Sequence, residues 1–138
     1  GTKLIRMMAN NLNQKEQIVL NKSALLSYEL EDLLKSIHSI TQEKIWLSVG
    51  PLPKPLIERY LPYIKGVVGS TETINPDLHK VVCPSKPLAP YEKMFVSANE
   101  LGLKKAMTFI VGMGETIKDF DSLKNFVIKN NLNKIEFY

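Results

Sequence analysis

The sequence predicts an α/β protein built on a parallel sheet, and three observations carry that prediction. Short apolar runs alternate with stretches whose apolar residues recur at helical spacing. The alternation repeats at roughly 30 residues per unit, as in (β/α) barrels. The apolar run at residues 106–111 leads through Gly112 and Gly114 into a new helix. A strand, a glycine turn and a helix make the corner where α/β proteins receive their ligands.

Taken in order, Lys3-Leu4-Ile5-Arg6-Met7-Met8 reads as a short strand, and the asparagine-rich residues 10–21 as a loop. Between residues 23 and 40, Leu26, Leu30, Leu33, Leu34, Ile37 and Ile40 fall on one helical face. Glu29, Glu31 and Asp32 lie toward its start, where the helix dipole favours acids. Residues 45–49 form a strand stopped by Gly50 and Pro51, and a short helix covers 54–61. Residues 66–69 are the next strand, running into the polar Ser70-Thr71-Glu72-Thr73, and 74–89 read as a long loop. Pro90 suits the first turn of a helix with Tyr91, Met94, Phe95, Ala98 and Leu101 inward, ended by Gly102. After the 106–111 strand, Thr116 and Asp119 have capping-box spacing for a helix over 117–129, with Phe120, Leu123, Phe126 and Val127 inward. Residues 135–138 are the last strand.

The order βαβαβαβαβ implies a parallel sheet with its helices outside. A closed eight-unit barrel takes ~250 residues, so 138 residues give a partial barrel, expected to be a single domain over 1–138. Tyr138 falls inside a strand that should be central. The expectation is therefore a piece of a larger domain, completed by an N-terminal part of the same barrel or by another copy at its open sheet edges.

An apolar content of 44% supports a core, and a charged content of 23% is ordinary. The net charge of +4 is spread over scattered lysines, which reads as a solvated surface rather than a nucleic-acid face. One cysteine excludes an internal disulfide and a cysteine-only metal site. No apolar run approaches the roughly 20 residues of a membrane span, and no signal peptide is visible; the expected location is cytoplasmic.

Three stretches carry the chemistry. They are Val67-Val68-Gly69-Ser70-Thr71-Glu72-Thr73-Ile74-Asn75-Pro76, then His79-Lys80-Val81-Val82-Cys83-Pro84-Ser85-Lys86-Pro87, then Glu100-Leu101-Gly102-Leu103-Lys104 running into Ile110-Val111-Gly112-Met113-Gly114-Glu115-Thr116. In this order they resemble the radical S-adenosylmethionine (SAM) superfamily. The nearest likeness is to the branch of biotin synthase, the iron–iron hydrogenase maturase and methanogen proteins tied to the iron–guanylylpyridinol hydrogenase cofactor. The resemblance covers about residues 44–138.

It implies a (β/α)6 partial barrel, of which this chain holds about strands two to six. It also implies reductive cleavage of SAM to a 5′-deoxyadenosyl radical that takes a hydrogen from a small-molecule substrate. By the resemblance, Glu72 matches the acid near the ribose and amino-acid part of SAM, and Ile110 the apolar residue that packs on adenine. Gly112 and Gly114 match the turn glycines, Glu115 the acid that tethers the turn, and Tyr138 an adenine contact. The family's 4Fe–4S cluster is held by three cysteines on a loop that falls outside this chain. Cys83 alone does not replace them, so no metal ligand is assigned here and this piece alone is expected to be inactive.

Departures narrow the reading. Thr108 stands where the family's fifth-strand motif starts with glycine. The positions near Trp46 and Ala106 are not the cysteines that hold a second, sulfur-donating cluster in biotin synthase. Cofactor assembly, with the hydrogenase cofactor as one candidate, or carbon-skeleton rearrangement is therefore expected over sulfur insertion. The motif that orients the methionine amino group is not legible at Met7-Met8-Ala9-Asn10; Gly1-Thr2 is either its tail or a cloning remnant.

Each feature also has a plain structural reading. Gly112-Met113-Gly114-Glu115 is a tight turn with a solvated acid, and Glu72 an acid paired with a nearby lysine. His79 and Cys83, four apart, are a structural or solvent-exposed pair for want of further ligands. Arg6 makes a surface salt bridge or meets a substrate carboxylate. Trp46 packs in the core or lines the barrel lumen. At the level of function, the alternative is a non-catalytic α/β domain that binds a nucleotide-like ligand or a protein partner. An aldolase-type barrel is disfavoured, because Lys65 and Lys105 lie at strand starts, the wrong end for a Schiff base.

Overall fold

The computed structural model describes residues 24–138. The predicted strand at 3–8, the loop at 10–21, Arg6 and Gly1-Thr2 lie outside the described residues. The chain divides into two compact units, residues 1–43 and 44–138. In the first, α1 (Ala24–Thr41) follows the predicted helix. Leu34 is buried, but Ile40, expected inward, is 82% exposed. It sits in the last turn, just before Gln42 takes a left-handed φ of 58° and ends the helix.

The second unit runs β1 (Ile45–Leu47), α2 (Lys54–Tyr60), β2 (Ile64–Glu72), α3 (Pro76–Val82), α4 (Leu88–Glu100), β3 (Lys104–Phe109), α5 (Ile117–Lys129) and β4 (Lys134–Phe137). All neighbouring strands are parallel, in the order β1-β2-β3-β4. The sequential order decides the architecture. Every crossover steps the same way, so right-handed connections put every helix on one face. Among the described residues of this unit the other face carries no helix, as on the inside of a barrel.

The core lies between sheet and helices. Helix α4 packs on β2, β3 and α2, burying Tyr91, Met94, Phe95 and Ala98 as its spacing predicts. Phe95 is fully buried and meets Phe126 of α5 edge-on at 6.4 Å. Burying such a ring contributes about 1.5–3 kcal/mol. On α5, Leu123 is buried, whereas Phe120 stays 43% exposed and reaches only the rim of the core, 6.4 Å from Phe109.

Four predicted elements gain structure or move by two or more residues at an end, and β1 shortens to Ile45–Leu47. The loop expected over 74–89 contains α3, and α4 begins at Leu88 rather than Pro90. Asn75 starts α3: its side-chain oxygen accepts from the N–H groups of Asp77 and Leu78, and Pro76 presets the first turn. Pro90 is then the third residue of α4, still within the turn whose N–H groups have no helical partner. Strand β2 extends from Ile64 to Glu72, well past the predicted 66–69, because its polar end is paired to β3. Strand β3 shifts to Lys104–Phe109. Ile110 and Val111 still bond across the sheet, to the carbonyls of Glu72 at 2.8 Å and Tyr138 at 2.9 Å.

Candidate functional site

The open face of the sheet is a groove of about 560 Å³. Strand geometry builds it, since alternate residues point to one face and the parallel register aligns them in rows. Val68, Ala106 and Lys134 are register partners and form one row. The next row holds Ser70, Thr108 and Glu136, with Thr108 opposite Glu136. The last row, at the C-terminal edge, is Glu72, Ile110 and Tyr138.

Trp46 and Ser48 add the β1 wall. The Trp46 ring lies across its register partner Gly66. A Cβ at position 66 would meet Trp46 Cζ3 at 2.4 Å, so a side chain there cannot coexist with this ring position. Trp46 thus belongs to the groove, and the core-packing reading of it is corrected. On β4, Lys134 and Glu136 pair through a close ammonium–carboxylate bond, and the Tyr138 hydroxyl donates to Glu136 at 3.3 Å.

Glu72 is held in the groove by its backbone and by both carboxylate oxygens. A bulge sets it opposite Phe109, with a left-handed φ of 64°, a conformation that costs a non-glycine residue free energy. The Cys83 thiol donates to Glu72 Oε2 at 2.8 Å, and Lys86 Nζ donates to Oε1 at 2.8 Å. These two bonds, the thiol's first, hold the Glu72 carboxyl below its ordinary range. Burial, then the Glu72 carboxylate, pushes Cys83 up to about 11. At neutral pH the pair is a carboxylate and a thiol. Lys86 is shifted upward chiefly by its bond to Glu72.

The segment bearing these donors is pinned. His79 Nε2 lies 3.1 Å from the Thr71 carbonyl, and the Lys86 N–H donates to the Cys83 carbonyl at 3.0 Å, closing a four-residue turn. His79 and Cys83 are both buried, which removes the solvent-exposed reading of that pair.

The turn after β3 stands apart from the groove lining. Gly112 and Gly114 have φ of 92° and 117°, in the region only glycine enters freely. The Glu115 carboxylate folds back on this turn, accepting from the Gly112 N–H in a close bond and from the Met113 N–H at 2.8 Å. Those backbone donors, Gly112's first, lower its pKa. Behind it, Asp119 Oδ2 accepts from the Thr116 N–H at 2.6 Å, within a capping box.

The geometry therefore brings Glu72, Ile110 and Tyr138 together on one edge. It sets Gly112, Gly114 and Glu115 in the adjoining turn, with the acid directed at the backbone. Sequence reasoning missed Ser48, Val68, Ser70, Lys134 and Glu136 as lining. The signal was present: each shares the parity of a flagged residue on its own strand.

Among the described residues no group of three or more His, Cys, Asp or Glu side chains is placed to hold a metal ion. Cys83, the one cysteine of the sequence, is buried and committed to Glu72. It does not fit a cluster ligand, which must be an available thiolate. The groove does fit a nucleoside-like ligand: Ile110, Val68 and two aromatic rings offer apolar surface, and Glu72 offers acceptors.

No family model matches the chain. An uncharacterized protein of Methanocaldococcus jannaschii is 36% identical over 110 residues, or 80% of this chain. The chain spans 30% of that relative's length. Among solved structures, the radical SAM methyltransferase TsrM from Kitasatospora setae, determined with tryptophan substrate and the SAM analogue aza-SAM, matches with a TM-score of 0.59. The match covers 82% of this chain and 24% of TsrM at 17% identity. The fold is radical-SAM-like. At that identity the likeness is one of architecture, and it agrees with the parallel, one-faced sheet. Among the described residues no helix is long and apolar enough to cross a membrane.

Proposed function

We propose that the native protein containing this chain is a radical SAM enzyme and that the C-terminal edge of the groove holds SAM. The observation that carries the reading is the meeting of Glu72, Ile110 and Tyr138 on the open face, at the strand ends where (β/α) folds keep their chemistry. In this reading Ile110 and Tyr138 pack on adenine, and Glu72 accepts from the ribose diol or the ammonium group. The turn of Gly112, Gly114 and Glu115 keeps the backbone at the groove's rim in one shape.

A 4Fe–4S cluster would supply the one electron that cleaves bound SAM to methionine and a 5′-deoxyadenosyl radical. The cluster's ligands are assigned outside this chain, in the part of the barrel that precedes it. The chain's own work is to orient the nucleoside and keep water from it. The remaining rows of the groove, from Ser70 to Lys134, face a small-molecule substrate. Serving cofactor biosynthesis is favoured over sulfur insertion, since Trp46 and Ala106 stand where extra cysteines would be needed.

The test is anaerobic purification of the native-length protein, reconstitution with iron and sulfide, and measurement of 5′-deoxyadenosine after adding SAM and a reductant. Formation that falls at least tenfold in Glu72→Gln supports the reading. A folded protein that takes up no cluster and cleaves no SAM overturns it and favours a non-catalytic domain for a nucleotide-like ligand or protein partner.

A further inference from the structure

We propose that Cys83 and Lys86 are positioning residues: a two-donor clamp that fixes the Glu72 carboxylate to accept two adjacent donors, such as a ribose diol, from a ligand in the groove. The proposal rests on the SAM reading above and adds residues to it from a segment that reading leaves unused.

Four observations carry it. The two donors take different oxygens of one carboxylate, Cys83 on Oε2 and Lys86 on Oε1, each at 2.8 Å. A carboxylate has about four lone-pair sites, so one acceptor site per oxygen remains. The plane is fixed by two bonds rather than left to rotate. The donors come from one backbone turn, closed from the Lys86 N–H to the Cys83 carbonyl, and both side chains reach the same carboxylate from it. The His79 bond to the Thr71 carbonyl then registers that turn onto β2 one residue before Glu72. Finally, Glu72 keeps a left-handed φ of 64° that its surroundings must impose, and it lines the groove rather than the solvent-facing surface.

The donor types fit the task. Cys83 is buried and neutral, so it contributes a directed bond without a second charge. The Lys86 side chain is 45% exposed against 23% for Glu72. It supplies a charge at the rim, screened enough that the carboxylate still attracts a ligand donor.

The experiment is SAM titration calorimetry on the native-length protein with a double-mutant cycle, each variant's thermal midpoint being recorded alongside. Glu72→Gln is expected to weaken SAM binding about tenfold or more. Cys83→Ala and Lys86→Met are each expected to weaken it about threefold to tenfold, and Cys83→Ser to restore it. In the Glu72→Gln background, Cys83→Ala and Lys86→Met should add nothing. A general loss of structure would add its cost in either background, and the serine would not rescue it. Should Cys83→Ala fail to fold, Lys86→Met at its exposed position gives the same answer. Folded Cys83→Ala and Lys86→Met proteins that bind SAM like the wild type, while Glu72→Gln does not, overturn the clamp and leave the SAM site standing. A folded wild type that binds no SAM overturns both.

Discussion

Asn75 Nδ2 donates to Asp119 Oδ1 at 2.9 Å, and this bond ties the cap of α3 to the first turn of α5. Asn75 follows the strand that ends at Glu72 and Asp119 the turn of Gly112 to Glu115, so the bond joins the two segments across 44 residues of sequence. The same asparagine caps α3 with its oxygen, and the same aspartate bonds the Thr116 N–H. Two helix starts are thus locked into one polar knot.

Asn75→Ala removes the α3 cap and the bridge together. A lost cap costs about 1 kcal/mol and a lost buried hydrogen bond about as much. The expected result is a fall of about 1–2 kcal/mol in urea unfolding, with faster amide exchange at residues 112–116. Unchanged exchange in that turn would show that the bridge does not couple the two segments.

Gly66→Ala forces Trp46 off its partner, because a Cβ there would meet the ring at 2.4 Å and the Lys104 carbonyl at 2.7 Å. Overpacking of this kind costs about 1–3 kcal/mol. Trp46 is the chain's single tryptophan. Its fluorescence should shift in the variant, and a spectrum identical to the wild type's would contradict its placement over Gly66.

Lys105 gives stability a pH signature. It is buried at the start of β3, bonded to Asn99 Oδ1 at 3.0 Å, and burial lowers its pKa. Below the folded value the ammonium is charged in both states and the folded state carries the full burial cost. Between that value and the ordinary 10.5, the unfolded chain binds more protons, so stability rises with pH. Cys83, held up to about 11, lowers stability across the same range in both proteins, so the difference between them isolates Lys105: the urea midpoint of the wild type should gain on that of Lys105→Met as pH rises through the window. A difference that stays constant or shrinks would contradict the assignment.

Cys83 should resist alkylation in the wild type, since burial and the Glu72 carboxylate both disfavour its thiolate. Glu72→Gln removes one of those causes. Iodoacetamide labelling at mildly alkaline pH, followed by mass spectrometry, is expected to speed up several-fold in the variant. Equal rates would argue that the thiol does not bond the acid.

Much of this was legible in the sequence because it is local. The helix over Ile117–Lys129 appears at its predicted bounds, since its start is written in Thr116 and Asp119 and its face in the spacing of Leu123, Phe126 and Val127. Helix α3 was missed because seven residues are too few to show a period. It forms because Asn75 caps it and His79 holds it to β2, and that second bond exists only once the chain is folded. The groove lining was half legible. Glu72 and Ile110 stood out by motif, whereas Ser70 and Glu136 were marked only by the strand parity they share with Glu72 and Tyr138. The Cys83–Glu72–Lys86 contact joins residues 11 and 14 apart, a pairing fixed by the fold of α3 and not by any spacing rule.

Hydrogen–deuterium exchange of the native-length protein with and without SAM tests the site most directly. The account predicts protection in peptides covering residues 70–74, 108–116 and 134–138, with no change in α2 on the far side of the sheet. Protection confined to other peptides, or none at saturating SAM in a folded protein, would contradict it.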